Sequence, residues 1–86
     1  MSDAVLKFDL EHKQFVIHVD ETNALELYVD NCLRKRDSSL DPVGYVWTNI
    51  ELNWEEHRYV EARLSRASRA LHVTVNHETV FNESLG

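Results

Sequence analysis

A single cysteine, Cys32, gives this 86-residue chain no partner for an internal disulfide. Small secreted domains usually depend on several such bridges, so the sequence predicts a reducing, cytoplasmic setting. Long apolar runs are also missing. No stretch reaches the roughly 18 residues needed to cross a bilayer as a helix, and no basic-then-apolar leader opens the sequence. One proline and two glycines are too few for a linker-like or low-complexity chain. Positive charge is scarce as well: 9 Lys+Arg face 15 Asp+Glu, for a net charge of −6. A general binder of nucleic acid or anionic membrane needs the opposite field.

What is present is a hydrophobic fraction of 43%, enough for one compact core and too little chain for two. A single domain over residues 1–86 is therefore expected. Charge is unevenly spread. Residues 1–33 hold Asp3, Asp9, Glu11, Asp20, Glu21, Glu26 and Asp30 against Lys7 and Lys13, whereas 34–36 and 58–69 are locally basic. No internal repeat is visible.

Two alternating runs, 4–10 and 14–19, are joined by a short polar link and predict an antiparallel hairpin. Leu25, Tyr28, Val29, Cys32 and Leu33 then recur at i, i+3, i+4, i+7 and i+8, which predicts a first helix over about 21–35. DSSLDPVG (37–44) reads as a loop, and YVWTNIEL (45–52) as a strand. The next stretch, NWEEHRYVEARLSRASRAL (53–71), places Val60, Leu64, Ala67 and Leu71 on one helical arc. Asn53 and Glu56 have the spacing of a capping box. A second helix is predicted there; read with period two, 54–66 is instead part of a β-meander. Strands at 71–75 and 79–81 complete an α+β fold: a small antiparallel sheet of 4–5 strands with two helices on one face, in the order ββαβαβ(β).

The predicted second helix would carry Arg58, Arg63, Arg66 and Arg69 as a basic stripe beside its apolar one. Guanidinium groups can fork onto carboxylates or phosphates, so the stripe is a candidate interface; the plainer alternative is a solvated face with weak ion pairs. If both helices cover one side of the sheet, Tyr45, Trp47, His18, Val16, His72 and Thr74 are left on the other. Tyr45 and Trp47 are then candidate anchors for a partner. His57 and Glu61, four apart, form a candidate acid–base pair, against which stands an ordinary surface ion pair. Five histidines at non-ligand spacings and one cysteine predict no metal centre. No catalytic motif or phosphate-binding loop is present, and Cys32 is expected buried on the first helix.

These features predict a non-enzymatic protein without cofactor that binds another macromolecule, most readily a protein. Inhibitors, immunity or antitoxin-like factors, adaptors and phage-type regulators share this size and charge. A second copy of the chain is a further candidate partner, and nucleic-acid binding through the arginine stripe is the alternative.

Overall fold

Strict alternation in the first twenty residues makes the first hairpin. Leu6, Phe8 and Leu10 turn inward from β1 (Ala4–Leu10), and Phe15, Ile17 and Val19 from β2 (Lys13–Val19), where the last three are fully buried. The structure, a computed structural model, describes residues 3–53 and 56–85, without the side chains of 52–56. The hairpin turns at Glu11-His12, with Glu11 at φ 55°.

From there the chain stays extended. β3 (Leu25–Val29), β4 (Cys32–Asp37), β5 (Val43–Asn53), β6 (Glu56–Ser65), β7 (Ala70–Val75) and β8 (Glu78–Ser84) follow. They form two antiparallel four-stranded meanders, β1-β2-β3-β4 and β5-β6-β7-β8. Among the described residues there is no helix, so the expected α+β fold is corrected to an all-β one.

Each wrong helix has a local cause. In 21–35, Leu25, Leu27 and Val29 alternate inward with Glu26 and Tyr28 outward, and Asp30-Asn31 makes a two-residue turn. Both residues lie at positive φ, 49° and 68°, as a type I′ hairpin requires. Asn and Asp tolerate that region, so no glycine marks the turn. The same change of direction leaves Cys32 exposed at the start of β4. In 53–71 the meander prevails: Val60, Ala62 and Leu64 face inward from β6, and Leu71 and Val73 face inward from β7. The apolar residues that suggested a helical arc are mostly core, but from two strands. The capping-box side chains, Asn53 and Glu56, lie outside the described residues.

The two meanders share one skeleton. Each ends in a type I′ turn, Asp30-Asn31 in the first and Asn76-His77 in the second. Asp30 N donates to Gln14 O at 2.8 Å and Asp30 Oδ1 accepts from Gln14 N at 2.9 Å; Asn76 repeats both bonds with Tyr59 at 2.8 Å. Each third hairpin carries a bulge four residues past its turn's first residue, at Arg34 and at Val80. Even the loops before β3 and β7 correspond, with Asn23 at φ 66° and Arg69 at φ 54°.

Those two corresponding loops meet. Arg69, only 4% exposed, donates from Nη1 to Asn23 Oδ1 at 2.5 Å and to Asp20 O at 3.3 Å. Arg66 reaches farther, donating to Asn23 O (3.1 Å), Asp41 O (2.7 Å) and Asp37 O (3.0 Å), with Asp37 Oδ1 at 3.3 Å. It thereby ties the β6–β7 loop to the β2–β3 loop and to the linker between the halves. Gly44 makes room, since a Cβ there would stand 2.8 Å from Arg66 Nη2. Between the sheets, Phe15, Ile17, Leu25, Leu27, Val46, Val60, Ala62, Leu64, Leu71 and Val73 form one continuous core.

Candidate interaction surface

The inward alternation that builds the core also fixes what faces out. On the second sheet, β5 presents Tyr45, Trp47, Asn49 and Glu51. Opposite them β6 presents Arg63, Glu61, Tyr59 and His57, and β7 adds His72 and Thr74. At the centre is a carboxylate. Glu61 is 4% exposed although it points away from the core, because its neighbours close over it. Tyr45 donates its hydroxyl to Glu61 Oε2 at 2.6 Å, and Arg63 Nη2 approaches the same oxygen at 3.0 Å. The Arg63 guanidinium also lies over the Tyr45 ring, 4.8 Å from its centre.

Around this hub the rings are stacked. Trp47 and Tyr59 are nearly parallel, at 4° and 5.6 Å between centres, and His77 from the β7–β8 turn stacks on Tyr59 at 5.9 Å. Lys35 Nζ reaches Trp47 from β4, 5.0 Å from the ring centre. Trp47 nevertheless remains 39% exposed. The result is a rigid apolar platform with cations at its margin, built on strands rather than loops.

Electrostatics follow from the contacts. The Tyr45 hydrogen bond, with Arg63 and His77 nearby, holds the Glu61 carboxyl below its ordinary pKa despite the opposing effect of burial. Tyr45 is shifted up, because lost solvation and the facing Glu61 carboxylate both disfavour a phenolate. Glu61 therefore stays charged and Tyr45 stays a donor.

The other sheet's outer face has its own buried carboxylate, Glu26. His18 Nδ1 lies 2.8 Å from Oε1 and Arg36 Nη1 2.9 Å from Oε2, so both oxygens are engaged. His18 Nε2 meets Asp3 at 3.0 Å. A shallow groove of about 350 Å³ runs beside this network, lined by Val5, Lys7, Val16, His18, Tyr28 and Asn31.

The sequence-derived candidates are thus dispersed. Tyr45, Trp47 and Arg63 come together on the outer face of the second sheet. Arg58 has the opposite, inward parity and lines a cleft of about 470 Å³ with Leu10, Val75 and Thr79. Arg66 and Arg69 form the clasp between the halves and are not part of an outward stripe. A continuous arginine stripe required a helix; on a strand, 58 and 63 differ in parity. Val16 and His18 share an outer face, but not the one that carries Tyr45, Trp47, His72 and Thr74. His57 lies opposite Glu51, and the described partners of Glu61 are Tyr45, Arg63 and His77.

Thr74 was expected on this face, but Glu61, Tyr59, His77 and Lys35 were not singled out for it. The period-two reading of 54–66 would have placed Tyr59, Glu61 and Arg63 together, whereas nothing local brings His77 or Lys35 there. Among the described residues no three His, Cys, Asp or Glu side chains are grouped to hold a metal ion, and no helix is long and apolar enough to cross a membrane. Searches against protein-family models, curated proteins and solved structures find no match.

Proposed function

We propose that this protein is a non-enzymatic binding module that docks onto a protein partner through the outer face of β5, β6 and β7. The observation that carries the reading is the pre-assembled cluster of Tyr45, Trp47, Tyr59 and His77 around Glu61, bordered by Arg63 and Lys35. Aromatic rings held rigid by their neighbours bury much area on contact and lose little freedom, which favours them as interface anchors. Inhibition, immunity or antitoxin-like neutralisation, adaptor work and phage-type regulation all proceed by such docking. A cytoplasmic setting suits the one free thiol, exposed at Cys32.

Two features favour protein over nucleic acid. The net charge of −6 repels a phosphate backbone. Single-stranded binders also offer open ring faces for bases, whereas Trp47 is flanked by Tyr59 from β6 and Lys35 from β4.

The test is kinetic. Against the partner, Trp47→Ala should speed dissociation at a cost of about 2 kcal/mol or more. Arg63→Glu should mainly slow association and alter its salt dependence. Unchanged affinity in both variants refutes the reading. Sub-micromolar, salt-sensitive binding to random single-stranded nucleic acid would replace it with the nucleic-acid alternative.

A further inference from the structure

The buried carboxylate of the second sheet is only half used. Its Oε2 takes both the Tyr45 hydroxyl and the Arg63 guanidinium, while its Oε1 is enclosed and has no hydrogen-bond partner. Directly across the β6–β7 pair stands Thr74, 5% exposed, and its Oγ1 is likewise enclosed and without a partner. Two adjacent buried polar atoms left unsatisfied carry a desolvation cost that native structures seldom leave uncompensated. His77 Nδ1 lies 3.4 Å from Oε1, too long for a well-formed hydrogen bond. The His77 side chain is 84% exposed and rests on the Tyr59 ring. It stands beside Oε1 without satisfying it.

The same hub shows what chemistry fits. On the Oε2 side, Arg63 stacks its guanidinium on the Tyr45 ring and donates to the carboxylate. On the Oε1 side an aromatic ring, a free carboxylate oxygen and a free hydroxyl are present, and the guanidinium is missing. We propose that this is the seat of an arginine side chain supplied by a protein partner. The guanidinium displaces His77 from Tyr59, stacks on that ring, and donates to Glu61 Oε1 and Thr74 Oγ1. A planar fork can reach two acceptors at once while lying flat on a ring, which a lysine ammonium cannot. The chain's net charge of −6 draws a basic partner to it, and the seat sits on an open sheet face rather than in a pocket sized for a free metabolite. This inference rests on the docking reading above and adds the chemistry of the partner's anchor.

The experiment follows amide and indole resonances of the full chain while acetyl-Gly-Arg-Gly-amide is added. Parallel titrations replace the arginine by citrulline, its neutral isostere, and by lysine. Saturable shifts at Tyr59, Thr74, His77 and the Trp47 indole are expected with the arginine peptide. Citrulline should weaken binding about tenfold or more, the size of a lost charge-assisted bond. Thr74→Val and Glu61→Gln should each weaken the arginine peptide, whereas His77→Ala should tighten it severalfold by uncovering Oε1. If Glu61→Gln does not fold, the opposite signs of Thr74→Val and His77→Ala still decide the matter. The proposal is overturned by an absence of saturable shifts, by equal binding of the citrulline or lysine peptide, or by a His77→Ala protein that binds more weakly. Such a result, with Trp47→Ala still defective for the partner, removes the arginine anchor and leaves the docking reading standing. Normal partner affinity in Trp47→Ala removes both.

Discussion

The two halves of the molecule share a strand order, a last turn and the bulge that follows it, and they differ in how their outer faces are finished. On the first sheet Glu26 has both oxygens taken, by His18 and Arg36. On the second, Glu61 and Thr74 each keep an enclosed atom unpaired beneath exposed rings. A shared skeleton therefore does not imply shared work. The Glu26 carboxylate of the first face is fully engaged, and the second face holds two unpaired buried atoms at the surface proposed for docking.

The equivalence of the halves is tested most severely in the core. Leu25 and Leu71 occupy corresponding positions, one on β3 and one on β7, and both are buried. Leu25→Ala and Leu71→Ala should each cost about 2–5 kcal/mol in thermal or denaturant melts, by similar amounts. A large cost for one and almost none for the other would break the equivalence.

Next in size is the clasp. Arg66→Met strips a donor from Asp37 and from three carbonyls, and should cost about 3 kcal/mol. Arg63→Met, at a half-exposed position on the outer face, should cost about 1 kcal/mol or less. Equal losses would mean that the two arginines are not divided between fold and surface as described.

Acid should act through the same clasp. Burial disfavours the Asp37 charge, but hydrogen bonds from Ser39 and Tyr45 together with Arg66 outweigh it and bring the carboxyl down to about 2 from 3.8. A depressed carboxyl stabilises the fold above its unfolded value, and that stability is lost as pH falls from about 4 toward 2. The difference is on the order of 2 kcal/mol, and Asp37→Asn should flatten that part of the stability profile.

The smallest effect separates the two hubs near neutrality. His18 is shifted upward, chiefly by its hydrogen bond to Glu26 and against partial burial, with Asp3 adding to the shift. A raised histidine stabilises fully below its unfolded value of 6.5, and the contribution is lost as pH climbs through the folded one. His18→Gln should remove a modest decline in melting temperature as pH rises through that range. A decline that persists in His18→Gln would place its origin elsewhere.

Much of this architecture could be read from residues. The first hairpin, a loop within 37–44 (narrower than expected, since β4 ends at Asp37 and β5 begins at Val43), β5 with Tyr45 and Trp47 on one side, and the turn at Asn76-His77 follow from alternation and turn chemistry. The two helices failed because hydrophobic spacing at 25, 28, 29, 32 and 33 fits a 3.6 period as well as it fits two strands interrupted by a turn. The decisive signal was Asp30-Asn31, a type I′ turn without glycine. A second signal lay in a short internal repeat, where none was expected. Ala24-Leu25-x-Leu27-x-Val29-Asp30-Asn31 is matched by Ala70-Leu71-x-Val73-x-Val75-Asn76-His77, and recognising it would have made both segments hairpins together. The seat at Glu61 was less accessible. It depends on cross-strand partners, Tyr45 from β5 and His77 from the last turn, whose registers are set by the assembled sheet.

The central claim is that only one of two equivalent outer faces is a binding surface. Asn49 on β5 and Asp9 on β1 hold corresponding exposed positions, one opposite Tyr59 and the other opposite Gln14. A photo-crosslinking residue placed at each in turn, in cells that make the protein, compares the faces directly. The account predicts a discrete crosslinked protein from position 49 and none from position 9; crosslinks from position 9 alone, or equally from both, would contradict it.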